Sequence, residues 1–429
     1  MAPGLIRHRS RGPRALAAAA AAALTLPAAA GAADPHASLT SDPGLKLGQV
    51  VRAAAERFPE RARPAARRAE AGALDRRASA WLPGNPAVEL THYNDAVGTG
   101  AGNREWEAGL DLPLWRPGQK AARAAVAEGA AAQAEAGRRA LRLKAAGAVR
   151  EALWALALQR NRVALARTEL ETARSLRDKV KRRLELGDLA RTDLLMARER
   201  VGEKRTALTE ARSRLRVLRS RYRRLTGLER VPDGWREERA DAAPALADHP
   251  AVARAARAVQ RLRAQRDLAG KESAANPSLL LGSRRERAAD GTTVNSLLAS
   301  VRVPFGLSTQ RRAAEAAAGV DLAAARARLD RVRRQTRQAL DRARESIAAA
   351  RQTLDQARER ERMARDSRDL ARKAFDAGEY DLIDLIKVQE KYAGARRDRA
   401  RRELTLQRAV ARYNQAAGDI PWPHSASSH

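Results

Sequence analysis

The sequence predicts an α+β membrane protein built from two copies of one structural unit, and three observations support this prediction. First, landmark residues recur at a constant spacing of 191 positions, which indicates a tandem repeat. Second, four short segments show the alternation of apolar and polar residues that is typical of strands. Third, each repeat contains a long stretch without proline, from residue 118 to 184 and from 308 to 375, which favours a very long helix.

The repeat is defined by residues that keep their register between the two halves. Pro59 recurs as Pro250 and Gly187 recurs as Gly378, each 191 positions later. The same spacing joins Asn85-Pro86 to Asn276-Pro277, Pro113 to Pro304, Asp193 to Asp384, Tyr222 to Tyr413 and Gly227 to Gly418. The predicted segments are a first repeat over residues 34–228, a linker over 229–246, a second repeat over 247–420 and a tail over 421–429.

The amino terminus has the pattern of an export signal. Four arginines between Arg7 and Arg14 precede a largely apolar run of twelve residues, Ala15 to Leu26, and small residues follow up to Ala33. This run is shorter than the ~20 residues that a membrane-spanning helix needs. Residues 1–33 are therefore predicted to be a signal peptide.

Each repeat contains a predicted hairpin of two strands. Apolar and polar residues alternate from Glu105 to Leu112 and, less strictly, from Ser296 to Val303. Each run follows an earlier strand, Ala87 to Tyr93 or Ser278 to Arg284. Strands of about nine residues can cross a bilayer when they are tilted.

The two hairpins supply only four strands, which cannot close a membrane barrel. Polar loops are predicted within them over residues 94–104 and 285–294. The smallest known membrane barrels have about eight strands, and an open edge in lipid leaves backbone groups unpaired. A barrel would therefore be shared between chains, with eight strands from two chains or twelve from three. The alternative is a soluble four-stranded sheet packed on helices.

The long helices need neighbours along their whole length. At 1.5 Å per residue, the stretch from residue 118 to 184 would extend ~100 Å. Apolar residues recur at spacings of three, four and seven, as they do in coiled coils. These residues include Leu153, Leu156, Val163, Leu170, Ala173, Leu176 and Val180.

Both long helices are predicted to end in a glycine turn. Gly187 and Gly378 can adopt the left-handed conformation that stops a helix. Asp193 and Asp384 suit the first turn of the next helix because their charge complements the helix dipole. Apolar residues flank both turns, and an exposed apolar tip would be typical of a docking site. These residues are Leu186, Leu194, Leu195, Leu385 and Ile386.

Four features together resemble the TolC-like outer-membrane efflux proteins. They are the tandem repeat, the Asn-Pro pair before the first strand of each hairpin, the Leu-Pro-Leu or Val-Pro-Phe segment after the second strand, and the two glycine turns. The resemblance spans roughly residues 45–418. It implies a homotrimer in which each chain gives four strands to a twelve-stranded barrel in outer-membrane lipid, and long helices to a periplasmic helical barrel. It further implies a passive exit duct that meets a periplasmic adaptor protein and an inner-membrane pump. The segment from Leu82 to Leu90 resembles the heavy-metal cation branch of the family.

The resemblance also implies roles for residues near the turns. It places the adaptor and pump contacts at residues 187–195 and 378–386, together with the neighbouring Leu186. It implies that carboxylates on the helices entering the turns close the tunnel. Asp178 and Asp369 each lie nine residues before a turn glycine, and Asp366 lies one helical turn before Asp369.

In a trimer, each of these acids would form a ring of three, and acidic rings attract cations. Arg372 lies where a further inward acid would be expected, which argues against an acidic constriction. Asp366 could instead pair with Arg362 or Arg365 on its own helix.

The formal net charge of +32 indicates either binding to polyanions or a bias in composition. The export signal, the low aromatic content of 3% and the lack of a recognisable binding module exclude nucleic acid as a partner. Lipopolysaccharide phosphates, peptidoglycan and acidic adaptor surfaces remain as anionic partners. The other interpretation places the arginines on solvated helix faces. A basic lumen would favour anions and count against a cation exporter.

No motif in the sequence carries catalytic or cofactor chemistry. Gly98 to Gly102 joins two strands and lacks the lysine and the following helix of a phosphate loop. The chain has no cysteine, and its six histidines show no metal-ligand spacing. We therefore expect a protein that is not an enzyme and has no cofactor or bound metal. The alternative to a duct is an exported periplasmic coiled-coil scaffold or adaptor, which would stay soluble without detergent.

Overall fold

A computed structural model describes residues 39–98, 100–240, 245–272, 275–305 and 308–422. The predicted signal peptide and most of the predicted C-terminal tail lie outside the described residues. The elements of the first half are β1 Thr40–Asp42, α1 Leu47–Arg57, α2 Ala62–Ser79, β2 Ala87–Asn94, β3 Arg104–Pro113, α3 Gln119–Glu185 and α4 Arg191–Thr226. Those of the second half are β4 Arg230–Pro232, α5 Pro250–Glu272, β5 Ser278–Arg287, β6 Thr293–Arg302, α6 Ser308–Asp376 and α7 Leu382–Ala417.

The structure confirms both predicted hairpins and both long helices. α3 has 67 residues and α6 has 69, and their ends lie within a few residues of the predicted ones. The predicted loop of the second hairpin is wrong, because residues 285–287 and 293–294 belong to strands. Backbone pairing continues through these charged residues, since β3 offers a pairing partner as far as Arg104. The actual hairpin loops are residues 95–103 and 288–292.

The four hairpin strands form one sheet in the order β2-β3-β5-β6. Every neighbouring pair is antiparallel, so the strand direction alternates across the sheet. The outer edges of β2 and β6 have no strand partner within the described chain. The hairpin loops lie at one end of the strands, which we call the loop end of the sheet. We call the opposite end of the strands the helix end.

A second, smaller pairing was not predicted from the sequence. β1 and β4 run parallel, with Thr40 opposite Arg230 and Asp42 opposite Pro232. Arg230 Nη1 also lies 2.8 Å from a carboxylate oxygen of Asp42. The segment predicted as a linker between the repeats therefore contains a strand that ties it to the start of the first repeat.

The helices pack mainly around α3. This helix packs against α1, α2, α4, α5 and α7, whereas α6 packs against α5 and α7. Arg261 of α5 pairs with Glu70 of α2 at 2.5 Å, and these residues are 191 positions apart. Equivalent positions of the two repeats therefore touch, as they do near an axis that relates two similar halves. Among the described residues, no helix combines the length and the apolar character that crossing a membrane requires.

Candidate functional site

The four-stranded sheet has two chemically different faces. In register, Leu110 lies opposite Val88 and Leu281, while Asp111 lies opposite Ala87 and Leu280 on the other face. The apolar face carries Val88, Leu90, Trp106, Ala108, Leu110, Leu112, Leu279, Leu281, Leu297, Ala299 and Val301. The polar face carries Glu89, Thr91, Glu105, Glu107, Asp111, Arg284, Glu286, Ser296, Ser300 and Arg302.

None of the residues that the structure describes covers the apolar face. Leu297 is 93% exposed, Val88 81% and Val301 64%. A contiguous apolar surface of this kind is typical of a face that contacts another protein or lipid. Because the residues come from all four strands, the face is a continuous band across the whole sheet.

Aromatic side chains border this band at both ends of the sheet. Trp106 lies at the loop end and stacks on His92 with ring centroids 4.0 Å apart. At the helix end, Trp81 and Phe305 are 93% and 99% exposed. The ten-residue strand β3 extends ~33 Å at about 3.3 Å per residue. Aromatic residues near both ends of strands of this length are typical of the two interfaces of a membrane.

The polar face is acidic despite the basic composition of the chain. This face carries two arginines, Arg284 and Arg302, and a larger number of acids. The acids are Glu89, Glu105, Glu107, Asp111 and Glu286. Arg284 donates to Glu105 at 2.8 Å and to Glu286 at 3.3 Å. The excess of arginine in the sequence therefore does not lie on this surface.

Two glycines meet at the centre of the polar face. Gly109 and Gly282 are directly opposite each other in register. A Cβ atom on Gly282 would collide with the carbonyl oxygen of Ala108. Only glycine fits there, and such close backbone approach is typical of tight bends in curved sheets.

At the other end of the molecule, the two helical turns have matching geometry. Gly187 has φ 85° and Gly378 has φ 83°, which confirms the predicted left-handed helix stops. The amide that follows each glycine closes the turn, with N···O distances of 2.9 Å from Asp188 to Arg183 and from Glu379 to Ala374. Asp193 accepts a hydrogen bond from the Ala190 amide at 3.0 Å.

Two leucines of the apolar tips are buried within the chain. Leu194 is 9% exposed and Leu385 is 1% exposed, because they pack in one apolar cluster with Leu176, Val180 and Phe375. This cluster joins the two helical hairpins just behind their turns. The turns retain a smaller apolar surface, formed by Leu186, Leu195 and Ile383, which are 77%, 55% and 49% exposed. Ile386 is half-buried against the cluster.

Polar contacts reinforce this junction between the hairpins. Arg183 of α3 donates to the carbonyl oxygen of Phe375 at 2.9 Å, and its guanidinium lies 5.0 Å from the centroid of the Phe375 ring. Lys179 pairs with Asp376 at 3.1 Å. The ends of α3 and α6 are therefore fastened to each other within one chain.

The three predicted constriction acids lie in two kinds of environment. Asp178 pairs with Arg177 and Asp369 pairs with Arg368, both at 2.6 Å, so the repeat preserves the pair as well as the acid. Asp366 is exposed on the side of α6 opposite the buried Ala364, Ala371 and Phe375. Neither alternative pairing of Asp366, with Arg362 or with Arg365, is present among the ion pairs of the described residues, and Arg365 instead contacts Glu361 at 3.5 Å.

A further ionic cluster between the hairpins was missed from the sequence. Lys204 of α4, whose side chain is 8% exposed, lies 2.5 Å from Glu390 of α7. Arg200 contacts the same carboxylate at 3.0 Å, and Arg397 contacts Glu169 of α3 at 2.5 Å. Burial raises the pKa of Glu390, but the Lys204 hydrogen bond and the charges of Arg200 and Arg397 outweigh it, and the pKa is lowered overall. The pairing joins positions 186 residues apart, which no local spacing reveals.

Among the residues that the structure describes, no group of three or more histidine and carboxylate side chains is placed to hold a metal ion. The features described for the site are an apolar band, an acidic face and two helical turns that are joined to each other.

The fold is that of known outer-membrane channels. VceC of Vibrio cholerae aligns over 87% of this chain and 96% of its own, with a TM-score of 0.68 and 15% identity. The Campylobacter jejuni CmeC outer membrane channel aligns over 87% and 85%, with a TM-score of 0.66 and 14% identity. The open state of the Neisseria gonorrhoeae MtrE outer membrane channel aligns over 88% and 89%, with a TM-score of 0.66 and 16% identity.

No protein-family model and no curated protein matches the sequence itself. The structural comparisons nevertheless confirm the TolC-like fold that the sequence predicted.

Proposed function

We propose that three copies of this chain form an exit duct of the outer membrane, which passively conducts substrate delivered by an inner-membrane pump and a periplasmic adaptor protein. The observation that supports this most is the four-stranded sheet with an exposed apolar face and two unpaired edges. Such a sheet is incomplete alone, because unpaired backbone groups in lipid cost several kcal/mol each.

The strand directions permit closure by identical copies. Each neighbouring pair is antiparallel, so β2 and β6 run in opposite directions. β6 of one copy can therefore pair with β2 of the next in the same antiparallel pattern. Two copies would supply eight strands, and side chains fill the interior of a barrel of that size. Three copies would supply twelve and leave a lumen lined by the polar face.

The acidic polar face supports the passage of cations through the strand region. Five acids face two arginines on this surface of each chain, and rings of carboxylates favour cations in channels. This favours the heavy-metal cation branch over an anion exporter. We further propose that Asp366 and Asp369, with Asp178, form the acidic constriction near the tips.

The tips are the proposed contact zone for the adaptor and the pump. Because Leu194 and Leu385 are buried, their role is to hold the two turns together. The exposed Leu186, Leu195 and Ile383 would supply the apolar contacts, around turns set by Gly187 and Gly378. Asp193 and Asp384 would position the following helices, and Ile386 would contribute from their edge.

Single-channel conductance in planar bilayers tests the proposed function. We expect a trimer with low, cation-selective conductance that rises in Asp366→Ala/Asp369→Ala, because three copies of each acid no longer narrow the lumen. The control is Asp330→Ala/Asp341→Ala on the same helix, where both acids contact arginines three residues on. Its conductance should match the wild type. No conductance, together with full solubility without detergent, would overturn the duct and support a periplasmic scaffold.

A further inference from the structure

Arginine side chains are collected on the apolar face of the sheet at its loop end. In register, Arg104 of β3 lies opposite Arg287 of β5, and Trp106 lies opposite Arg285. All follow the alternation of Leu110 and therefore lie on the apolar face. We call Arg104, Arg285 and Arg287 the arginine girdle.

The charges of the girdle are not neutralised within the described part of the chain, where none of the three arginines forms an ion pair. Like charges directly opposite each other weaken strand pairing, so the Arg104–Arg287 arrangement costs stability until an anion binds there. The acids of the adjacent loops are engaged elsewhere. Asp95 accepts a hydrogen bond from a loop amide at 3.1 Å and Asp290 accepts one at 2.8 Å.

The opposite face of the same strands shows the contrasting arrangement. Glu105, Glu107 and Glu286 alternate with the girdle residues but project to the polar face, where Arg284 pairs with them. Acidic side chains are thus sorted onto the polar face and the girdle arginines onto the apolar face, although residues of opposite charge are neighbours in the sequence. This sorting indicates that the girdle faces an anion outside the chain.

The surroundings of the girdle fit an amphipathic anion. A hollow of about 360 Å³ opens beside Arg104, Trp106 and His92, and Asp95, which accepts the loop hydrogen bond, also lines it. Tryptophan is enriched at the headgroup level of a membrane, and here the Trp106 ring is held by its stacking on His92. Below them lies the apolar band, and above them the hydrogen-bonded loops. Guanidinium groups bind phosphate oxygens in a bidentate manner.

We propose that the arginine girdle binds the phosphate groups of lipids in the outer leaflet of the outer membrane. This inference rests on the proposed function, since it requires the apolar face to contact lipid. Three arginines from each of three copies would then form a phosphate-binding ring around the barrel, which fixes its depth in the bilayer. The acidic lumen would stay separate from this basic rim.

The test measures binding of lipid A to the purified trimer in neutral detergent. Lipid A with both phosphates is compared with the same lipid after enzymatic dephosphorylation. The variant is Arg104→Gln/Arg285→Gln/Arg287→Gln, and the corresponding triple lysine variant keeps the charge. Arg302→Gln is the matched control, because Arg302 is exposed on the polar face of the same sheet. Inorganic phosphate serves as a competitor that has no lipid part.

We expect the wild type to bind phosphorylated lipid A about tenfold more tightly than the dephosphorylated lipid. The glutamine variant should lose this preference and the lysine variant should keep part of it, since lysine retains charge without bidentate contacts. Arg302→Gln should match the wild type. Equal binding of the two lipids, or an unchanged glutamine variant, would overturn the proposal. Inorganic phosphate binding as tightly as the lipid would overturn the assignment to a lipid.

Conductance in bilayers of neutral phosphatidylcholine separates this inference from the proposed function. The glutamine variant should conduct like the wild type, which shows that it folds and inserts. If the wild type conducts and the lipid preference is absent, the girdle alone is wrong. If the wild type does not conduct, the duct is wrong, and the lipid-facing role of the girdle is wrong with it.

Discussion

The helices α3 and α6 occupy equivalent positions in the two repeats but differ in how deeply they are buried. In the middle of α3, Leu153 and Trp154 are 1% and 2% exposed. The residues 191 positions later, Arg344 and Glu345, are both exposed. The repeat thus preserves the length and the turn of the helix, while its surroundings differ. α3 lies at the centre of the chain, whereas α6 keeps more of its surface exposed.

The largest effect is expected at Trp154, whose ring packs edge-on against Trp235 with centroids 4.5 Å apart. Trp154→Ala should lower the free energy of opening of α3 by about 3–5 kcal/mol, since it leaves a large cavity in a buried site. The equivalent change in the second repeat, Glu345→Ala, should cost less than about 0.5 kcal/mol. Native-state hydrogen exchange of the α3 and α6 amides measures both values. A loss below about 1 kcal/mol for Trp154→Ala would contradict the buried role of α3.

An intermediate effect is expected where the two hairpins meet. Glu390→Gln removes the carboxylate that pairs with the buried Lys204, and the junction should weaken by about 1–2 kcal/mol. The value is below that of a fully buried pair because the Glu390 side chain is 35% exposed. The control is Glu185→Gln, whose exposed pairing with Lys181 spans 3.7 Å and should contribute little.

For the same variant, we expect a change in how the stability of the protein depends on acidic pH. The folded structure lowers the pKa of Glu390 below its ordinary value of 4.5. Its stabilising contribution is therefore present above pH 4.5 and is lost as the pH falls through the lowered pKa. Glu390→Gln should have a flatter profile of stability against pH in this acid range. An unchanged profile in thermal unfolding experiments would show that another group governs the junction.

The smallest effect is expected from a comparison of Tyr222 with Tyr413, which occupy equivalent positions in the two repeats. The Tyr222 hydroxyl donates to the carbonyl oxygen of Arg230 at 2.9 Å, and burial raises its pKa to about 12, so it stays protonated at neutral pH. Tyr222→Phe should cost about 1 kcal/mol, because the carbonyl of Arg230 loses its donor. Tyr413 contacts Arg239 through its ring, with the guanidinium 4.7 Å from the centroid. Tyr413→Phe keeps that contact and should cost less than about 0.5 kcal/mol. Equal costs in denaturant titrations would show that the two sites are energetically alike.

The sequence predicted those features that depend on local chemistry. Left-handed turns require glycine, so Gly187 and Gly378 marked the ends of the long helices. Alternation along the strands predicted an amphipathic sheet, because side chains change face at each residue. The difference in burial between α3 and α6 was not predicted, although apolar residues around Trp154 correspond to charged residues around Glu345.

Features that depend on distant partners could not be predicted in the same way. The burial of Leu194 and Leu385 depends on how two hairpins pack, and neither segment alone reveals its neighbour. The Lys204–Glu390 pair joins two helices from different repeats, so no spacing within one helix indicates it. β1 and β4 have three residues each, which is too short for alternation to be recognised.

The parallel pairing of β1 with β4 has a consequence for the order of folding. Its strands end at Pro232, and most of the surrounding core, including Val50, Val51 and Tyr222, precedes that residue in the chain. Because a chain is synthesised from its amino terminus, this part can form before the second repeat is complete. The four-stranded sheet, in contrast, is complete only when residue 302 is present, and its outer edges have no strand partner within the described chain. The chain would therefore pass through a stage in which a folded helical core carries an incomplete sheet, whose unpaired strand edges are prone to aggregation.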